Sequence, residues 1–215
     1  LYLFITISNY TFFCDACQPK RINTCMAQSY NLFPDVCIEG EIPIERSVGT
    51  SIRKGILEAK DSGSCLDTNF GWMTNKDMPQ VEVVKKLQML IGNLFVDDIR
   101  RAIPNTKKAQ IQLTEPNLFA INPGHIYPVH VDRTKWYTCI MWLQTTNKGS
   151  MCYQENFGLR LHSSPIKIQS ATNYIKPKVW KYACFPSHIP WGMTPNNSAV
   201  ETICLHMNCM AIPKD

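Results

Sequence analysis

The sequence predicts an α+β domain whose core is a β-sandwich or barrel of jelly-roll type, flanked by two helices. Three observations carry that prediction. Beyond residue 109 the chain breaks into short apolar or alternating runs punctuated by Pro, Gly and Asn, which is the texture of many short strands. Ahead of that region, two segments repeat apolar residues at three-to-four spacing, as helices with one buried face do. Finally, 14 prolines and 10 glycines in 215 residues favour frequent turns over long helices. An apolar fraction of 45% with 18% charged residues is that of an ordinary globular chain, which excludes a disordered one. One domain is expected, with residues 1–108 supplying N-terminal strands and packing helices integral to it and residues 109–215 supplying the jelly-roll core.

Taken in order, "LYLFITIS" reads as a first strand, because it lacks the basic start and small-residue cleavage site of a secretion signal. Pro19, Pro34 and Pro43 keep the elements before residue 45 short. The stretch "SIRKGILEAK", residues 51–60, is a helix with Ile52, Ile56 and Ala59 on its apolar face, and "DSGSCLDTNFGWMTNKDMPQ" after it reads as a loop. Residues 81–101 form the strongest helix: Val81, Val84, Leu87, Leu90, Ile91, Leu94 and Phe95 share a face, while Glu82, Lys85, Lys86 and Asp98 fall on others. Pro79 and Pro104 bracket it. Both helices are read as packing elements without a functional role. The strands that follow are "IQLTE", "LFAIN", "YPVHVD", "YTCIMWLQ", "GSMCYQ", "PIKIQSA", "KVWKYACFP" and "VETICLHMNCMAI". No apolar run approaches the roughly 18 residues of a membrane-spanning helix.

A formal charge of +5 is spread without any run of Lys and Arg longer than a pair, which is too diffuse to indicate nucleic acid and is compatible with an anionic small molecule. Ten cysteines divide by context. Cys139, Cys184, Cys204 and Cys209 sit in apolar strand-like runs and are expected to be buried as small hydrophobes. Cys14, Cys17, Cys25 and Cys37 form C-x2-C-x7-C-x11-C in a polar context, where zinc, disulfides and free thiols all remain open.

The chemistry concentrates in "NPGHIYPVHVDRTKWYTCIMWL", residues 122–143. If His130-Val131-Asp132 lies on a strand, the period of two puts His130 and Asp132 on one face and Val131 on the other. Two adjacent ligands of this kind make two-thirds of the 2-His-1-carboxylate set that holds Fe(II). His125 reads as a loop residue. His162 and His206 read as structural, although His206 on the last strand can face inward. About sixty residues further on comes "VWKYACFPSHIPWGMTPNNSAVETICLHMN", an apolar run, a Phe-Pro-Ser turn, a histidine, an Asn-rich loop and a final strand.

The order of these segments, over roughly residues 110 to 210, resembles that of the Fe(II)/2-oxoglutarate-dependent oxygenases, in particular the small members found in bacteria and phages. The resemblance implies a double-stranded β-helix (jelly-roll, cupin-like) fold with Fe(II) and 2-oxoglutarate as cofactors, His130 and Asp132 matching the first two iron ligands. The expected distal histidine falls at Trp191, whose indole N–H can only donate, so His188, three residues earlier, is the candidate third ligand. An offset of three on a strand reverses the face, which weighs against that substitution. The arginine that would bind the far carboxylate of 2-oxoglutarate falls near Glu201 or Thr202, and no arginine stands there. Thr202, Arg133, Lys135 and Arg160 are therefore the candidates for an anion contact, and Tyr127 or Trp136 for a pocket wall. Tyr137, Trp142 and Trp180 are expected to pack in the core.

Two functional readings follow. The first is an oxidoreductase, expected in the cytoplasm, that oxidises an unidentified small-molecule or macromolecular substrate with no membrane partner. The second is a non-catalytic jelly-roll protein that self-associates or joins an assembly, such as a virus or phage particle, and so resides in the virion.

Overall fold

The computed structural model describes residues 28–32, 35–75, 82–103, 106, 109–155 and 172–213. In chain order these form β1 (Gln28–Leu32), β2 (Asp35–Glu41), α1 (Arg46–Asp61), β3 (Cys65–Thr68), β4 (Gly71–Thr74), α2 (Glu82–Ala102), β5 (Ala109–Ile121), β6 (Tyr127–His130) and β7 (Tyr137–Gln144). They continue with β8 (Cys152–Glu155), β9 (Thr172–Ile175), β10 (Lys181–Pro186), β11 (Trp191–Met193) and β12 (Thr202–Pro213). One sheet has eight strands in the order β1-β2-β10-β7-β12-β5-β4-β3, and a smaller one has the order β6-β11-β8-β9. The strand pairs are antiparallel. The expected architecture, an α+β double-stranded β-helix with two flanking helices, is thus the one observed.

Strand β7 shows why the chain folds this way. Its sequence YTCIMWL is buried throughout and, Thr138 apart, apolar, because both faces are covered, as in any sheet sandwiched between layers. Tyr137, Cys139, Met141 and Leu143 pack toward the helices, while Ile140 and Trp142 point between the two sheets. The helices supply the outer layer. Ile52, Ile56 and Ala59 of α1 are buried as the spacing predicted, and so are Val84, Leu87, Ile91 and Phe95 of α2. Each fully buried Val, Leu, Ile or Phe among them contributes about 1.5–3 kcal/mol. Among the described residues six buried thiols divide between these layers: Cys139, Cys184 and Cys209 in the helix-facing core, Cys37, Cys152 and Cys204 between the sheets.

Several expectations are corrected. The segment read as a loop after α1 contains the β3–β4 hairpin, whose four-residue strands are too short to show a period. "IQLTE" and "LFAIN" are one strand, β5, in which Pro116 is accommodated where the pairing with β12 shifts register. β9 and β11 went unread because they span four and three residues. β10 begins only at Lys181, since Trp180 stands in a turn with φ of 67°. Leu90 is 53% exposed instead of sharing the apolar face of α2. The strand readings of "LYLFITIS" and "PIKIQSA", together with Val81, Cys14, Cys17, Cys25, Arg160 and His162, lie outside the described residues. Among the described residues no helix is long and apolar enough to cross a membrane.

Asp98 is the largest surprise on α2. Expected on a polar face, it is buried against the sheet, where the Tyr182 hydroxyl donates to its carboxylate and Arg101 reaches it at 2.9 Å. Gly40, opposite Tyr182 on β2, makes room for the phenol, because a Cβ there would meet its hydroxyl at 2.3 Å. Burial raises the Asp98 carboxyl above its ordinary 3.8, and the Tyr182 hydrogen bond and Arg101 only partly offset this. With the folded value raised, the stability contributed by Asp98 is full below the unfolded value and is lost as pH rises through the folded one. Asp98→Asn is therefore expected to gain on wild type between pH 4 and pH 7. Urea midpoints across that window check this, and a constant difference would contradict it.

Candidate metal centre

β6 lies at an edge of the small sheet, pairing with β11 so that His130 stands opposite Trp191. Asp132 follows the strand end, where its N–H donates to the Ser187 carbonyl (3.1 Å) in the turn after β10. The chain then crosses to the large sheet, with the Trp136 N–H donating to the Cys209 carbonyl (2.9 Å). These backbone bonds fix the His130-x-Asp132 pair at one end of the space between the sheets.

His130 Nδ1 lies 3.2 Å from the Pro128 carbonyl oxygen. The tautomer that donates this bond leaves the Nε2 lone pair facing Asp132 Oδ2, 3.8 Å away. Burial lowers the His130 pKa below its ordinary 6.5, with the Pro128 bond and the Asp132 charge pulling partly back, so the neutral ring is favoured. A neutral imidazole is the form that can donate to a metal.

His206 arrives from the opposite wall. Its strand, β12, sends Ile203, Leu205, Met207 and Cys209 toward the helices and Cys204 between the sheets. His206, on the same parity as Cys204, points between the sheets as well. Its side chain is 8% exposed, and Nε2 lies 3.6 Å from Asp132 Oδ2 without making a hydrogen bond. Beside it, Thr138 Oγ1 lies 2.9 Å from Ser187 Oγ and donates to Asn208 Oδ1 (3.2 Å), so this end of the interior is polar.

Trp191 fills the space between these groups. The indole is fully buried, and its centroid lies 4.3 Å from the His130 ring, 5.2 Å from Tyr127 and 5.8 Å from His206. Tyr127 packs in turn on Phe70 (4.8 Å) and Phe119 (4.5 Å), which makes it a wall of the site. Burial first, and then the Asp132 charge, push its hydroxyl well above the usual tyrosine range. Trp136 packs against the helix-facing core, away from this wall.

The remaining candidates lie elsewhere. His188 occupies an exposed turn, and the space beside His130 is taken by Trp191 and His206. Arg133 is exposed in a turn and Lys135 is half-buried just after it. His125 is an exposed loop residue. Thr202 is fully buried, four residues before His206 and so about 13 Å along the strand from it. Its hydroxyl accepts from the Ser150 N–H (3.3 Å). No Lys or Arg among the described residues is buried. Nor do any three His, Cys, Asp or Glu side chains among them stand drawn in to coordination distance. His206 was legible only through the alternation in "TICLHMN", where Thr202, Cys204, His206 and Asn208 share a parity.

No protein-family model matches the chain, and no curated protein matches it. Solved structures do. A prolyl-4-hydroxylase from Pseudomonas putida superposes with a TM-score of 0.57 at 12% identity, covering 81% of this chain and 91% of that one. A prolyl hydroxylase from Trichoplax adhaerens, solved with a hypoxia-inducible factor peptide fragment, gives 0.58 at 14% identity, covering 81% and 83%. The non-heme α-ketoglutarate-dependent carbocyclase SnoK of nogalamycin biosynthesis gives 0.60 at 8% identity, covering 83% and 81%. At such identities the likeness shows the fold, the double-stranded β-helix shared by Fe(II)/2-oxoglutarate oxygenases.

Proposed function

We propose that this chain is an oxidoreductase-type protein of the Fe(II)/2-oxoglutarate oxygenase kind, which holds Fe(II) through His130 and Asp132. The observation that carries this reading is position: the pair stands at the end of β6, facing between the sheets of a fold that such oxygenases share. The donor chemistry fits iron, combining a neutral imidazole nitrogen with a carboxylate oxygen 3.8 Å apart. Neighbouring ligand atoms around one ion stand about 3 Å apart, so a modest turn of the Asp132 side chain completes the approach.

When bound, Fe(II) would supply the one-electron and O2 chemistry that side chains lack. The chain's own residues supply the setting. Pro128 holds the proton on His130 Nδ1, Asp132 provides the negative charge, and Tyr127, Phe119 and Trp191 exclude water from the inner side.

2-Oxoglutarate fits the interior poorly as the side chains stand. Thr202 offers a hydroxyl without charge, and Cys204, Ile140, Trp142 and Trp191 fill the space between the sheets. Wild-type protein is therefore expected to bind Fe(II) under anaerobic conditions, with 2-oxoglutarate producing at most a weak metal-to-ligand charge-transfer band. His130→Ala should weaken Fe(II) binding by more than about 100-fold, beyond what loss of a residue supporting a ligand costs. If wild type binds no Fe(II) in a calorimetric titration, the reading fails.

A second reading, a non-catalytic jelly-roll protein of an assembly, is favoured by Trp191 and Thr202 at the two positions where the resemblance calls for histidine and arginine. It requires stable self-association or incorporation into a larger particle. A strictly monomeric species in sizing experiments would count against it.

A further inference from the structure

We propose that His206, from the large sheet, is the third protein ligand of the metal held by His130 and Asp132, in place of a ligand from β11. The proposal rests on the reading of His130 and Asp132 as a metal-holding pair and adds a donor from the opposite wall.

Three observations converge on it. The His206 side chain is more than nine-tenths buried, and its Nε2 makes no hydrogen bond, a costly state for a polar atom in a closed interior. That nitrogen and His130 Nε2 both approach one atom, Asp132 Oδ2, at 3.6 and 3.8 Å. A proton shared with the carboxylate satisfies one nitrogen and leaves the other facing an acceptor, whereas a divalent cation satisfies both nitrogens and the oxygen together. Third, the indole of Trp191 occupies the β11 side and packs beside the His206 ring, centroids 5.8 Å apart and planes at 29°, so the side chain that closes off β11 is a neighbour of the imidazole whose Nε2 faces Asp132. The residue that fills the β11 side of the space thus packs beside a donor that arrives from β12. Two imidazoles and a carboxylate select a divalent ion of intermediate softness, of the Fe(II), Co(II) or Cu(II) kind.

The test uses the full chain with the metal alone. Fe(II) and Co(II) affinities are measured by calorimetry, and the coordinated imidazoles of the Cu(II)-loaded protein are counted by pulsed electron paramagnetic resonance. Wild type should show two imidazoles. His130→Ala and His206→Ala should each show one, with affinity weakened by more than about 100-fold, beyond the loss of a residue that only supports a ligand, and His188→Ala should match wild type. His206→Gln, which keeps volume and a polar tip, repeats the measurement, and melting of each metal-free variant verifies its fold. If wild type binds metal and both His206 variants keep two imidazoles and full affinity, His206 is no ligand while the His130/Asp132 reading stands. If the second imidazole vanishes in His188→Ala instead, the assignment is overturned in favour of that turn. If wild type binds no metal, both readings fall.

Discussion

Trp191→Ala is expected to lower folding stability by about 3–5 kcal/mol, the range for truncating a large aromatic side chain in a closed core. The indole is fully buried and touches the rings of Tyr127, His130, Phe185 and His206. Its neighbours stand on β6, β10 and β12, elements of both sheets, so they cannot all move inward together to close the gap. The loss therefore combines transfer free energy with the cost of a cavity. Urea unfolding measures it, and a change below about 1 kcal/mol would mean that the sheets are not packed around this side chain. Because indole cannot itself ligate a metal, any weakening of Fe(II) binding in the folded variant reports the loss of its packing against the His130 and His206 rings.

The second large effect is a gain. Trp191→His with Thr202→Arg places the residues the resemblance calls for at both departures, and removes the indole that fills the interior. Without an anion the introduced guanidinium is buried and unpaired, so the double variant should be several kcal/mol less stable than wild type. With Fe(II) and 2-oxoglutarate, the guanidinium gains a carboxylate partner. Truncating one side of such a buried pair costs 2–5 kcal/mol, so 2-oxoglutarate should bind at least about 30-fold more tightly than to wild type. The readouts are a charge-transfer band stronger than wild type's and a melting temperature that rises with 2-oxoglutarate. If neither appears, the interior lacks the shape for this cosubstrate, and more than two side chains separate the chain from the oxygenases.

The parts of this molecule that could be read from its sequence are those in which one physical demand acts over many residues. Helix α2 repeats its apolar face over about five turns, and β7 is apolar from Cys139 to Leu143 because both of its faces are covered. The β3–β4 hairpin and β11 stayed hidden because three or four residues cannot display a period. Asp98 was misplaced for another reason. Its helical position says nothing of Tyr182, which reaches it from a strand 84 residues away. The candidate centre divides in the same way. His130 and Asp132 are two residues apart and share a face, so local geometry revealed them. His206 joins them only because β12 crosses the large sheet opposite β6, a relation that exists in the folded chain alone.

The six thiols buried among the described residues, three on each side of the large sheet, amount to a pair of internal clocks. Burial raises the thiol pKa of Cys139, Cys184 and Cys152, so little thiolate is available to an alkylating reagent while the structure is closed. Modification must then wait for an opening event, and its rate at each cysteine reports the free energy of the opening that exposes it. Cys139, Cys184 and Cys209 time the lifting of the helices, while Cys37, Cys152 and Cys204 time the parting of the sheets. A divalent ion bound across β6 and β12 would slow the second clock and leave the first running at its own pace.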